Sequence, residues 1–143
     1  MSEPLLKLHF DIDGENFTSA GEASVRVKKK LRQLQFPPDF IRRVSIAMYE
    51  AEINAVIHAG GGEADITVEE NRVTVVMRDS GPGIADIPLA MKEGYSTAPD
   101  NIRSLGFGAG MGLPNMKRYS DKMEVRSEVG VGTVIAMEFI LEP

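Results

Sequence analysis

The chain contains no cysteine in its 143 residues, so disulfide staples and thiolate metal sites are excluded. It also lacks an excess of positive charge: 16 Lys and Arg stand against 21 Asp and Glu, for a formal net charge of −5. Such a balance argues against a general nucleic-acid surface, which needs clustered cations to displace counterions. Long apolar runs are missing too. None approaches the ~20 residues that cross a bilayer, so no membrane association is expected. Met1 to Phe10 has no basic region followed by an apolar stretch and a small-residue cleavage site, so no secretory signal is read there and a cytoplasmic location is the expectation.

What remains is an ordinary globular composition, 43% hydrophobic and 26% charged. The length suits a single domain, 1–143, able to bury roughly two-thirds of the surface its unfolded form exposes. Leu6, Leu8, Phe10 and Ile12 alternate with mostly polar residues, which predicts a strand with one partly wet face. Ala23, Val27, Leu31 and Leu34 have helical spacing within Asn16 to Gln35. Pro37 and Pro38 stop that segment and can start a second helix, Asp39 to Ala59, with Ile41, Val44, Met48, Ala51 and Ala55 in one stripe. Gly60, Gly61 and Gly62 are expected to end it. Ala64 to Val68 and Arg72 to Met77 read as a hairpin. Lys122 to Glu128 and Val131 to Leu141 read as two further strands, preceded by a short helix from Leu113 to Asp121.

The texture changes between Gly81 and Gly112, which hold 7 of the chain's 14 glycines. Most of that stretch reads as loop, with one short helix expected around Ile87 to Lys92, and a loop of that length inside a compact domain is usually functional. Four places along the chain carry candidate chemistry. The first is the row Glu50, Asn54 and His58, each four residues apart on the second helix and beside its apolar stripe. A carboxylate and a carboxamide on adjacent turns can hold hydrated Mg2+ and orient a hydroxyl or water; a solvated polar helix edge would look the same. Glu52 lies about 200° around the helix from Glu50 and is read as a surface charge.

Asp79-Ser80-Gly81-Pro82-Gly83 follows a predicted strand. Its carboxylate suits the exocyclic amine of adenine, and its glycines allow a ring to approach the backbone. A plain strand-to-turn junction uses the same residues. The third place, Gly106-Phe107-Gly108-Ala109-Gly110-Met111-Gly112, leads into a helix. Alternate glycines there let backbone amides converge on phosphates, as an alternative to a flexible linker. It is neither a P-loop, since G-x-x-x-x-G-K-[ST] is absent, nor a dinucleotide fingerprint, since no strand leads into it. Gly130-Val131-Gly132-Thr133 fits a hairpin turn, and Thr133 could supply a hydroxyl beneath a base.

In this order, E-x-x-x-N, D-x-G-x-G, a glycine-rich lid and G-x-G-T resemble the GHKL (Bergerat-fold) ATPase superfamily over Ile41 to Leu141. The run from Glu50 to His58 and the segment Glu93 to Asp100 are most similar to the bacterial anti-sigma-factor and switch-protein serine kinases. That resemblance implies an α/β two-layer sandwich, with a mixed, mainly antiparallel sheet and helices on one face. It also implies ATP and Mg2+ as cofactors. Asn54 would ligate the metal, and Asp79 would bind adenine with Gly81 and Gly83 lining its pocket. Gly106, Gly108, Gly110, Met111 and Gly112 would wrap the phosphates, Thr133 would hold the base through Asp79, and Glu50 would be the general base. The implied activity is phosphorylation of a serine on a small STAS-type anti-sigma antagonist, with a sigma factor as a further partner and a homodimer as one assembly. A non-catalytic ATP-gated binding module is the alternative. The chain departs from some relatives in lacking an arginine beside Gly108-Ala109; Arg103 is the nearest and, like Lys92, could substitute.

Overall fold

A computed structural model describes residues 4–14, 21–92 and 112–142. Strand β1 spans Leu6–Asp13, helix α1 Glu22–Gln33, and helix α2 Pro38–Ala59. Strands β2 (Gly61–Glu69) and β3 (Arg72–Asp79) follow, then the short helix α3 (Ile87–Ala90). Helix α4 (Gly112–Tyr119) and strands β4 (Lys122–Glu128) and β5 (Gly132–Ile140) complete the described chain.

The five strands form one sheet in the order β1-β2-β3-β5-β4. All four pairings among the described residues are antiparallel, so the parallel component of the expected mixed sheet does not occur there. Register places Leu8 opposite Ile66, Ile66 opposite Val75, and Val75 opposite Met137. This row and its neighbours make one apolar face, against which α2 packs, with α1 and α4 packed on α2 and adding to the same core. The other face carries alternating charge, including Arg72 between Glu69 and Glu138. Because strand side chains alternate, one face can be core and the other wet.

The stripe on α2 is buried as its spacing predicts: Ile41, Val44, Met48, Ala51 and Ala55 all face the core. Pro38 sits in the first turn, where its missing N–H costs nothing. On α1, Ala23, Val27 and Leu31 are buried, but Leu34 is exposed. Leu34 is the C-cap of α1, so the helical row ends one turn before it. The glycine triplet also divides. Gly60 alone terminates α2, with φ 71°, whereas Gly61 and Gly62 already belong to β2. No helix among the described residues is long and apolar enough to cross a membrane.

Candidate functional site

Glu50, Asn54 and His58 lie on one half-buried edge of α2. The start of α4 packs on this edge. A Cβ built on Gly112 would sit 3.2 Å from Asn54 Oδ1, and Asn115 Nδ2 donates to Glu50 Oε1 at 3.4 Å. Arg43 ties the other end of α4 to α2, donating to the Tyr119 carbonyl at 3.3 Å and to Asp121 at 3.2 Å. Two distant parts of the expected site, the α2 row and the end of the glycine-rich segment, are therefore in direct contact.

At the end of β3, Asp79 Oδ1 accepts the amides of Gly81 at 3.0 Å and Thr133 at 3.2 Å. Both bonds use the same oxygen, so among the described residues the hydrogen bonds of this carboxylate fall on Oδ1, and Oδ2 has the lone pairs to accept another donor. Thr133 thus reaches Asp79 through its backbone. Its hydroxyl, expected beneath a base, pairs with Ser127 Oγ at 2.9 Å. Ser127 also accepts the Ile84 amide at 2.7 Å, pinning the Asp79-to-Ile84 turn to the β4–β5 hairpin. Gly83 has φ 80°, and a Cβ there would collide with the Glu128 carbonyl. A Cβ on Gly81 would lie 2.6 Å from that of Ala59, so glycine lets this turn close on the last turn of α2. Burial pushes the pKa of His58 below 6.5, against a smaller opposing pull from the Asp79 charge. The α2 row therefore ends beside the carboxylate of the second motif.

Glu52 overturns its reading as a surface charge. It is 2% exposed. Oε2 accepts the amides of Gly21 at 2.7 Å and Ala23 at 3.3 Å, and Oε1 accepts that of Ser24 at 3.1 Å. These amides belong to the N-terminal turn of α1, whose N-cap Gly21 offers no side chain. A carboxylate there satisfies orphan donors and faces the positive helix end. Helical geometry correctly separates Glu52 from Glu50, but the opposite side of α2 faces another helix and not solvent.

The structure thus gathers Glu50, Asn54 and Gly112 at one place, and Asp79, Gly81, Gly83 and Thr133 at an adjoining one. Gly106, Gly108, Gly110, Met111 and Arg103 lie outside the described residues. Asn115 and Ser127 carried no expectation from the sequence, and Glu52 carried the wrong one, since a lone Asn, Ser or Glu in an amphipathic pattern carries no signal of its partner.

The family described as "Histidine kinase-, DNA gyrase B-, and HSP90-like ATPase" matches residues 41–143. An anti-sigma F factor of Clostridium beijerinckii is 33% identical over 144 residues, covering 96% of this chain and 95% of that protein. The serine/threonine-protein kinase RsbT of Bacillus subtilis is 34% identical over 97 residues, covering 65% of this chain and 67% of that one. The crystal structure of the RsbU and RsbW domains of a Mycobacterium tuberculosis protein shares the fold, with a TM-score of 0.65 at 16% identity. That likeness covers 98% of this chain and 34% of the other. This chain belongs to the histidine kinase-, DNA gyrase B- and HSP90-like ATPase family and is an ATP-binding domain of the GHKL type. Within that family it is of the anti-sigma-factor serine/threonine kinase type.

Proposed function

We propose that this kinase transfers the γ-phosphoryl group of ATP to a serine of a small STAS-type antagonist protein, and that a sigma factor is its other partner. The observation that carries the reading is the contact of α4 with Glu50 and Asn54 on α2. It brings an acid–base group, an oxygen donor and the end of the glycine-rich segment to one place.

Asp79 binds the adenine amine through Oδ2, with Gly81 and Gly83 clearing space for the ring. Gly106, Gly108, Gly110, Met111 and Gly112 supply backbone donors to the phosphates. Asn54 fits a Mg2+ site by its chemistry, since Mg2+ takes oxygen ligands and keeps several waters. The space before its Oδ1 is one that a Cβ on Gly112 would crowd. When bound, the ion would neutralise phosphate charge. Glu50 takes the proton from the serine hydroxyl as its oxygen bonds to the γ-phosphorus. The bond from that phosphorus to the β–γ bridging oxygen breaks, and ADP leaves. Positioning and charge neutralisation account for most of such catalysis.

The test is transfer of labelled phosphate from ATP to a co-purified STAS-domain protein. Wild type should label the partner on serine, while Glu50→Ala should bind ATP and leave the partner unlabelled. ATP binding and partner binding without labelling in wild type would replace this reading with that of an ATP-gated binding module. The absence of an arginine beside Gly108-Ala109 favours that second reading.

A further inference from the structure

Asn115 is absorbed by none of the roles above. It sits three residues after Gly112, on the first turn of α4. Residues three apart on a helix share a face, so the residue that abuts Asn54 and the one that reaches Glu50 are presented together. Asn115 is half-buried, and its Nδ2 donates to Glu50 Oε1 at 3.4 Å, across 65 residues of chain. Pro114 precedes it in the first turn, where proline fixes the backbone in helical geometry. Leu113 and Met116, on either side of that pair, are buried in the core. The carboxamide is thus carried on a turn that packing holds against α2.

We infer that Asn115 is a positioning residue for the Glu50 carboxylate: its Nδ2 donor holds one carboxylate oxygen and turns the other toward the acceptor hydroxyl. This rests on Glu50 being the base. The carboxylate of a glutamate has three rotatable torsions, and a base works only within hydrogen-bond reach of its proton. A donor to Oε1 removes one of the competing orientations. The donor also rides on the same helix turn as Gly112, which abuts Asn54, so the alignment of the base and the Gly112–Asn54 contact depend on one turn of α4.

The experiment has a kinetic arm and a spectroscopic arm. In single-turnover hydrolysis of Mg·ATP with water as acceptor, Asn115→Ala should lower the rate roughly tenfold, the worth of one hydrogen bond to a charged group, and leave the KM for ATP unchanged. Asn115→Asp, nearly the same shape but without the donor, should be at least as slow, and Asn115→Gln should recover part of the rate. In a Glu50→Gln background, Asn115→Ala should add almost nothing, as coupled residues do. A purely structural Asn115 would raise KM, tolerate Asp, and add its effect to that of Glu50→Gln; any of these overturns the inference. Independently of turnover, the Asn115 side-chain amide resonances should move in Glu50→Ala, and unmoved resonances also overturn it. Moved resonances together with a fully active Glu50→Gln would leave the contact standing and remove the base assignment, and the positioning role with it.

Discussion

The Glu52 carboxylate on α2 accepts the backbone amide of Gly21, 31 positions earlier, at 2.7 Å. A buried acid on the helix that carries Glu50 and Asn54 therefore caps the helix before it. Glu52→Ala should strand the amides of Gly21, Ala23 and Ser24. With ~1–3 kcal/mol for each buried donor left unpaired and partial relief by water, we expect a loss of about 3 kcal/mol. At this chain length that lowers Tm by roughly 10 °C. Glu52→Gln, which keeps one acceptor oxygen but turns an NH2 toward the remaining amide, should cost less, about 2 kcal/mol. Thermal unfolding of both variants checks this, and an unchanged Tm in Glu52→Ala would refute the capping role.

Asp79→Asn keeps an oxygen for the Gly81 and Thr133 amides but puts an NH2 where Oδ2 stood. The unliganded fold should be little affected. The variant should lose about 2–3 kcal/mol of ATP affinity, the value of a hydrogen bond to a charged acceptor. In a thermal-shift titration, the stabilisation by saturating ATP, about 2.7 kcal/mol at a hundred times Kd for the wild type, should nearly vanish at the same concentration. A wild-type shift would remove Asp79 from the adenine site.

Gly132 has φ 149°, and a Cβ there would fall on the Asp79 carbonyl, which is backbone and cannot swing aside. Gly132→Ala should therefore destabilise by roughly 2 kcal/mol through strain. It should also weaken ATP binding by displacing Asp79. Gly130, with φ 81° and open space where a Cβ would stand, should suffer only the conformational penalty on substitution. Equal Tm losses in Gly130→Ala and Gly132→Ala would contradict the steric part of this account.

On the outer face of the sheet, His9 Nδ1 pairs with Asp65 at 2.7 Å and Nε2 with Asp11 at 3.2 Å. These bonds, that to Asp65 first, raise the His9 pKa above 6.5. A raised folded-state value means stability fully present below the unfolded-state pKa and lost as pH rises through the folded one. The Tm difference between wild type and His9→Gln should thus be largest near pH 6 and shrink by pH 8.5. Because the pair is exposed, it should also shrink in high salt. A difference that grew with pH would reverse the assignment.

Chain-local pattern sufficed for every described strand and for the four described helices, because burial repeats at the period of each of the longer elements. The α2 stripe and the alternation in β1 could be read directly. The ordered motifs singled out Asp79 and Asn54 as candidates, because glycines and a carboxylate at fixed offsets leave a trace in composition. What such patterns cannot carry is the identity of a partner far along the chain. Glu52 shows the limit: its angle from Glu50 was available from helix geometry, but whether that angle faces water or the amides of α1 depends on how the two helices pack. Thr133 is similar, since its pairing through backbone and not hydroxyl follows from the register that sets it opposite Asp79. Residue type and spacing specified the elements and the chemistry available to them. Only tertiary packing decided which polar groups meet, because a hydrogen bond depends on distance and angle between atoms that sequence separation does not encode.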